Sequence, residues 1–392
     1  MQHTRITARA FMWSRVLGIP FWVMLNTLSV ILYKEFHVSP FIVTLLIALK
    51  PATALAATYW SCYFSGKNRH FILSNLIRFF PFLFLFLTDS AWFPILCFCL
   101  YMSLSRGSMP VWLELFKNHL PHHSQSRLFA LGNACEYLGT TIFPIAIGML
   151  LDANPNSWRW LFPITALIGM VSTLWLVRLP NVESQLKPKS LSLPWKNSYF
   201  LIKSRPDFRN YLFGFMLGGA GLMIIQPVLP IFFVDELQFS YTEMMIAITV
   251  CKGIGFAVAS PFCVALFKRL PIHLFGCLVA LLAACFPMML FGAKWSEWFV
   301  YFAYLSYGVM QSGSELSWNL SSVAFSRKEE SLSFSETNIL AVGIRGCIIP
   351  FIGNFLFLAF NSLAVMIVGS ALCLGGALML FKYTERKVAI ER

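Results

Sequence analysis

The chain has 392 residues, of which 58 % are hydrophobic and only 12 % are charged, and its mean hydropathy is +0.69. A soluble domain carries about a quarter charged residues, so this composition excludes a soluble globular protein and indicates an integral membrane protein. The formal net charge of +13 does not indicate nucleic-acid binding, because the lysines and arginines lie in alternate loops and form no single basic patch.

The first half of the chain, residues 1–179, predicts six membrane spans joined by short loops. Each is an apolar run of about 20 residues, which is the length that crosses a bilayer as a helix. The first run is longer than the apolar core of a signal peptide, and more apolar sequence follows it directly. The six spans are predicted at Phe11–Tyr33, Ser39–Phe64, Phe71–Thr88, Trp92–Phe116, Leu128–Leu151 and Trp160–Arg178.

A basic, proline-containing linker follows at residues 180–210, and residues 211–392 predict six more spans and a short tail. Within the linker, aromatic residues and lysines alternate over Trp195–Lys203, a pattern typical of a helix on the membrane surface or of a loose linker. The later spans are predicted at Tyr211–Val234, Thr242–Phe267, Ile272–Gly292, Trp298–Ala324, Glu336–Phe360 and Leu363–Phe381.

The positions of the 30 lysines and arginines predict the orientation. Loops on the side of the N-terminus, together with both tails, hold 21 of them, and the opposite side holds Lys34, Arg159 and Lys294. Basic residues concentrate in cytoplasmic loops. We therefore expect both termini in the cytoplasm and a multi-pass protein of the cell (cytoplasmic or inner) membrane.

Two six-span halves, a basic cytoplasmic linker and short loops elsewhere resemble the major facilitator superfamily over almost the whole chain. Local motifs agree in part: the basic loop 65–70, Arg106-Gly107 in span four and the segment 205–209 before span seven are similar to family signatures. The antiporter signature of span five is present only in outline. The resemblance implies an all-α membrane protein of twelve transmembrane helices in two pseudo-symmetric six-helix bundles, with transport by alternating access.

Four charged residues form an internal repeat inside the predicted spans. Ser103-Leu104-Ser105-Arg106 is followed thirty residues later by Glu136, and Ser312-Gly313-Ser314-Glu315 is followed thirty residues later by Arg345. The second pair lies 209 residues after the first, with both signs reversed. Each charge costs about 2.5–3.5 kcal/mol at the centre of a membrane helix, so it must be paired, hydrated or neutralised.

Two pairings of these charges are open. Within each half, Arg106 pairs with Glu136 and Glu315 pairs with Arg345, which positions neighbouring helices without a role for the substrate. Across the halves, Arg106 pairs with Glu315 and Glu136 pairs with Arg345, which gives ion pairs that break as the halves move. The reversal of sign is compatible with both.

The other cations within spans differ in depth. Arg15 and Arg78 lie within about two helical turns of a cytoplasmic end, so their long stems are expected to reach the interface. Lys50 and Lys252 lie near mid-membrane in the equivalent spans two and eight, and the four repeat charges leave them without predicted partners. An anionic substrate would supply the missing counter-charge. Alternatively, a lysine is neutral or the glutamates carry protons.

The family resemblance implies that spans one, four, seven and ten line a central cavity, which places Asn26, Arg106, Gln226 and Glu315 in its wall. Glu136 and Glu315 are the candidates for proton coupling or gating. The candidates for substrate binding are Lys50, Lys252, Arg106, Arg345, Asn26 and Gln226.

These observations predict a secondary active transporter that moves a small anionic metabolite, coupled to protons or to counter-anion exchange. The alternatives are efflux of amphipathic or lipidic compounds, suggested by 39 phenylalanines, and a non-transporting membrane receptor or scaffold. The sequence has no catalytic motif, nucleotide-binding loop or metal-type cysteine spacing, so neither enzyme activity nor a cofactor is expected. The expected partners are a small-molecule substrate and the lipid bilayer, with no nucleic acid, and the protein is expected to be a monomer.

Overall fold

The computed structural model describes residues 2–64, 68–119, 122–177, 179, 190, 192–325 and 331–390, and the regular secondary structure within them is helical. Residues 65–67 of the basic loop and residues 180–189 and 191 of the basic linker lie outside the described residues. The first six α-helices are α1 (Gln2–Lys34), α2 (Pro40–Phe64), α3 (Asn68–Ile77), α4 (Trp92–His119), α5 (His122–Ala153) and α6 (Trp158–Leu176), with 3₁₀ helices at Phe80–Leu87 and Pro155–Ser157.

The later part of the chain contains nine further α-helices among the described residues. Two π-helices, Phe232–Glu236 and Ile246–Cys251, lie between them. The α-helices are α7 (Leu193–Ser204), α8 (Pro206–Met223), α9 (Leu229–Ile231), α10 (Tyr241–Met245), α11 (Lys252–Arg269), α12 (Ile272–Gly292), α13 (Trp298–Phe325), α14 (Ser331–Ala359) and α15 (Ser362–Ile390).

Eight helical stretches of the described residues are long and apolar enough to cross a membrane. Most coincide with predicted spans, so the prediction of a helical membrane protein is confirmed, while the number of twelve spans stays a prediction. The eight are Ile6–Lys34, Pro40–Ala57, Arg69–Leu87, Pro155–Leu176, Tyr241–Arg269, Ile272–Gly292, Ser333–Ala359 and Ser362–Tyr383.

Proline interrupts the α-helix in two of the predicted spans. The span Phe71–Thr88 breaks after Ile77 and resumes as the 3₁₀ helix at Phe80–Leu87, in which Pro81 occupies the first turn. Proline has no backbone N–H and its ring clashes with the carbonyl four residues earlier, which accounts for the loss of regular α-helix before Pro81. The apolar stretch Arg69–Leu87 is still long enough to cross a membrane, as predicted for this span.

The span predicted at Tyr211–Val234 is also divided. Its helix α8 begins five residues earlier than predicted, at Pro206, and ends at Met223. A turn then leads to Pro230 in the short helix α9 and to the first π-helix. Pro227 and Pro230 remove two backbone donors within four residues, which accounts for the loss of regular α-helix.

The chain divides into two compact units. The first unit contains Met1–Ser39, Ala52–Lys189 and Ser240–Met245, and the second contains Pro40–Pro51, Ser190–Phe239 and Ile246–Arg392. The boundary therefore falls five times: directly before α2, within α2, within the linker, just before α10 and directly after α10. The sequence-based division at residues 179 and 211 stays a prediction.

The core of the first unit is aromatic. α1 packs against α5 and α6, and the Phe21 ring lies at the centre of a cluster, with its centroid 5.0 Å from that of Phe79, 4.8 Å from that of Phe82 and 4.9 Å from that of Tyr101. Edge-to-face contacts of this kind add to the stabilisation that burial of the rings provides. The cluster holds the break between α3 and its 3₁₀ continuation against α1 and α4.

The core of the second unit depends on close approach of backbones. α12 packs against α13 and α15, and α8 packs against α15. At the α8–α15 contact glycines face each other: a methyl group on Gly376 would lie 2.6 Å from the nitrogen of Gly218 and 2.7 Å from the carbonyl oxygen of Gly214. Small residues at such contacts allow the van der Waals packing that stabilises helix pairs in membranes. The position of α8 is therefore tightly fixed.

The internal repeat extends to the backbone. His37 and Gln238 are the non-glycine residues with positive φ, at 49° and 54°, among those the structure describes. Each lies two residues before a serine, Ser39 or Ser240, that directly precedes a helix. At Ser240 the helix begins with a capping box, because the Glu243 N–H donates to Ser240 Oγ at 3.2 Å and the Ser240 N–H donates to Glu243 Oε2 at 2.8 Å.

The described part of the linker contains the amphipathic helix α7. It packs against α14, where the Thr337 hydroxyl donates to Ser198 Oγ at 3.0 Å. Trp195, Tyr199 and Phe200 are exposed. The predicted location of this segment on the membrane surface stays a prediction, and the aromatic face is what such a location requires.

Candidate functional site

The second unit contains a cavity of about 480 Å³. Residues from α2, α8, α12, α13 and α14 line it, together with a residue of the turn after α8. Its polar lining is unusual for membrane helices, because it includes three charged side chains and two amides. These five residues are Lys50, Gln226, Gln311, Glu315 and Arg345.

Arg345 lies against α8. Its Nη1 donates to the carbonyl oxygen of Met216 at 3.4 Å and lies 3.6 Å from that residue's sulfur. The guanidinium rests at Gly219, where a methyl group would overlap it. Its Nε is buried and has no hydrogen-bond partner among the described residues. A guanidinium has five N–H donors, so Arg345 retains donor capacity for a ligand.

Glu315 is the negative group of the cavity. Gln311, one helical turn earlier on α13, donates an amide N–H to Glu315 Oε1 at 3.3 Å. Lys252 begins α11 directly after the second π-helix, and its backbone carbonyl is packed against Gly308 of α13. The predicted role of Lys252 in substrate binding stays a prediction.

Of the two open pairings of the repeat charges, the pairing within each half is not found among the described residues. In the second unit the Arg345 guanidinium is directed to Met216 on α8, and it forms no ion pair with Glu315 among the described residues. The physical reason is Gly219, whose missing side chain leaves room for the guanidinium beside α8. Arg345 thus contacts a backbone carbonyl of α8, where pairing within the half would have placed the Glu315 carboxylate.

In the first unit the partner of Glu136 is Arg15. An ion pair joins Arg15 Nη1 to Glu136 Oε2, between α1 and α5, and both side chains are about one-quarter to one-third exposed, at 23 % and 32 %. The predicted partner Arg106 is exposed on α4. Asn26 is also exposed, and its amide donates to the Trp22 carbonyl at 3.0 Å. The interpretation of Arg15 as a side chain that extends to the interface missed this contact.

Arg78 lies among aromatic rings. Its guanidinium carbon is 4.7 Å from the Phe79 ring centroid and 5.4 Å from that of Tyr101. Its Nε is buried and has no hydrogen-bond partner among the residues that the structure describes. The break after Ile77 turns the side chain inward, so the predicted extension to the interface was wrong. Cation–π contact with two rings offsets part of the cost of burial.

Of the predicted site residues, the structure brings Lys50, Gln226, Glu315 and Arg345 to one cavity, and Lys252 is not among its lining residues. Asn26, Arg106 and Glu136 belong to the first unit. Sequence reasoning missed the lining residues Tyr307 and Gln311 of α13. Their spacing of four, at 307, 311 and 315, is the signal that places them on the face of Glu315.

The rest of the cavity lining is mainly apolar. Phe215, Tyr307 and Trp318 supply aromatic surface, and α12 supplies small aliphatic residues. A cavity of this size, with mostly apolar walls and a few convergent polar groups, is typical of a small-molecule site.

A known protein family and several solved structures are similar to this chain. The sequence profile of the Major Facilitator Superfamily matches residues 15–335. No curated protein sequence matches the chain. Among solved structures, a POT family transporter in complex with 5-aminolevulinic acid has a TM-score of 0.77 at 12 % identity, over 98 % of this chain and 96 % of that chain.

Two further solved structures have the same fold. The nucleoside transporter NupG is similar with a TM-score of 0.68 at 12 % identity, over 97 % of this chain and 98 % of that chain. A bacterial homologue of the human lysosomal transporter Spinster, in an inward-facing and unoccupied conformation, has a TM-score of 0.64 at 12 % identity, over 97 % of this chain and 95 % of that chain. At these identities the similarity concerns the fold.

Proposed function

Because the chain belongs to the Major Facilitator Superfamily, and is thus a multi-pass membrane transporter and not an enzyme, we propose that it is a secondary active transporter of a small anionic metabolite. One observation carries the proposal: two cations, Lys50 and Arg345, and one anion, Glu315, line a single cavity of the second unit. Alternating access is the mechanism that the family fold supports.

The charge balance around the cavity favours a negative substrate. Lys50 and Arg345 supply two positive charges, and Glu315 supplies one negative charge. Unbalanced charge at membrane depth is costly, and a carboxylate or phosphate would balance it through charge-assisted hydrogen bonds. Arg345, with its buried Nε, is suited to the planar geometry of a carboxylate.

The remaining predicted residues have secondary roles in the proposal. Gln226 lies in the cavity lining and would orient the substrate. A role of Asn26 and Arg106 of the first unit in substrate binding stays a prediction. Transport is proposed to be coupled to protons or to exchange for a counter-anion. Of the two glutamates, Glu315 is the stronger candidate for carrying the proton, because its protonation would change the charge of the cavity wall itself. Glu136 is the proposed gating residue, because its protonation would release Arg15.

The first experiment is a ligand search followed by flux measurement. Purified protein is screened by thermal shift against monocarboxylates, dicarboxylates and phosphate esters, since a ligand that binds only the folded state raises the apparent stability. Uptake of the best ligand is then measured in proteoliposomes for wild type, Lys50→Gln and Lys252→Gln. Loss of a charged hydrogen bond, about 1.5–3 kcal/mol, is expected to lower the affinity about 10- to 100-fold.

The matched control is Lys268→Gln, which removes an exposed lysine from the end of α11 and should transport as wild type does. Normal uptake by the Lys50→Gln/Lys252→Gln double variant would contradict the anion site. Binding without any flux would indicate the receptor alternative. A pH gradient imposed on the same vesicles distinguishes proton coupling, which it accelerates, from counter-anion exchange.

A further inference from the structure

One face of the cavity is entirely apolar. α12 contributes Gly276, Val279, Ala280 and Ala283 to the lining. Their spacing of three, four and seven residues places them on one side of the helix. None of these side chains has a polar atom, so this wall offers a ligand neither donors nor acceptors, apart from backbone groups that the helix already uses.

The charged side chains come from other helices. Lys50 belongs to α2, Glu315 to α13 and Arg345 to α14. α8 adds the apolar residues Phe215 and Leu222 to the lining. The apolar and charged parts of the lining therefore lie on different helices. α8 and α12 form an apolar surface, and the charged groups belong to the other helices.

From this separation we infer that the substrate is an amphipathic organic anion, with one carboxylate-like group and an aliphatic or aromatic body. The inference rests on the proposed function and specifies its substrate class. A highly hydroxylated anion would lose water at the α12 wall without gaining hydrogen bonds, which is unfavourable. A hydrocarbon body would gain there, by about fourfold in affinity for each buried methylene, equivalent to about 0.8 kcal/mol.

Four carboxylates of graded character test the inference by calorimetric titration of the purified wild-type protein. Acetate, butyrate and hexanoate lengthen the hydrocarbon body, and gluconate has the six carbons of hexanoate but carries hydroxyl groups. Lys50→Gln provides the reference for partition of hexanoate into the detergent micelle, because partition does not depend on Lys50. We expect affinity to rise more than tenfold from acetate to hexanoate, with gluconate weaker than butyrate.

The outcomes separate this inference from the function on which it rests. Gluconate binding as tightly as hexanoate, with both lost in Lys50→Gln, would overturn the amphipathic class and leave anion transport intact. Failure of all four anions to bind in a manner that depends on Lys50 would overturn both.

A variant of the apolar wall provides a second test. Val279→Thr keeps the shape of the side chain and adds one hydroxyl group to the α12 face. It should weaken hexanoate binding by several fold and leave acetate binding unchanged, since acetate is too short to require that wall. Equal loss for both anions would contradict a direct contact between the hydrocarbon body and α12.

Discussion

At the scale of single residues, Arg345 and Gly219 form one functional pair. The guanidinium lies where a side chain of α8 would otherwise be, and its Nε is buried and has no hydrogen-bond partner among the described residues. Gly219 is therefore the residue that makes room for the guanidinium at the cavity wall.

Gly219→Ala should displace the guanidinium. The new methyl group overlaps Arg345, and α8 cannot retreat because its glycines pack against the backbone of α15. We expect anion binding, measured by titration, to weaken about tenfold while the unfolding temperature changes little. Gly375→Ala is the matched control, since its methyl group would meet only Leu217 at an ordinary 3.4 Å. Unchanged binding in Gly219→Ala would show that the position of Arg345 is not critical.

Sequence reasoning found the charged residues of the site but not their partners. Depth within an apolar run is visible in the sequence, and it selected Lys50, Glu315 and Arg345, which share a cavity. Which charged side chains pair depends on the rotation of each helix about its axis, and this rotation cannot be read from the sequence. The pair Arg15–Glu136, separated by 121 residues, required the packing of α1 on α5 to be known.

At the scale of secondary structure, the start of α10 is held by a carboxylate from another helix. Asp152 near the end of α5 accepts the Tyr241 N–H at 2.7 Å and the Thr242 N–H at 2.9 Å. The Tyr241 hydroxyl donates to Glu35 Oε1 at 2.7 Å. Both helix-start N–H groups and the helix dipole favour negative charge at this place.

Asp152→Ala should destabilise the protein by about 1–2 kcal/mol, because two backbone donors lose a charged acceptor. The measurement is the thermal unfolding midpoint in detergent, which should fall. Glu297→Ala, which removes an exposed acidic side chain, is the control and should leave the midpoint unchanged. Equal midpoints for Asp152→Ala and wild type would show that water replaces the carboxylate at no cost.

The irregular elements were the least predictable. Hydropathy identified the apolar runs, and proline accounts for the breaks after Ile77 and Met223 once the structure is known. Hydropathy cannot distinguish a break from a kink, because neighbouring helices determine whether the freed backbone groups find partners. The repeated serine before α2 and before α10, at 39 and 240, was present in the sequence as a capping signal.

At the scale of the whole molecule, the orientation in the membrane rests on the distribution of positive charge. With 21 of the 30 lysines and arginines on the side of both termini, twelve spans and cytoplasmic termini are proposed. A C-terminal fusion to green fluorescent protein should fluoresce in cells, because that reporter folds in the cytoplasm. A phosphatase fused after Trp295 should be active, because that loop is proposed to lie outside. The opposite pattern would place the C-terminus outside and contradict the proposed orientation.

The second π-helix accounts for a discrepancy in the spacing of the repeat. The left-handed residues His37 and Gln238 are 201 positions apart, whereas Lys50 and Lys252 are 202 positions apart. A π-turn accommodates one residue more than an α-turn, and the π-helix Ile246–Cys251 lies between Gln238 and Lys252. If the segment between Gln238 and Lys252 gained one residue after duplication, the wide π-turn would accommodate that residue locally. Lys252 would then keep the same rotation about its helix axis that Lys50 has about its own. Without the wide turn, the extra residue would rotate Lys252 by about 100°.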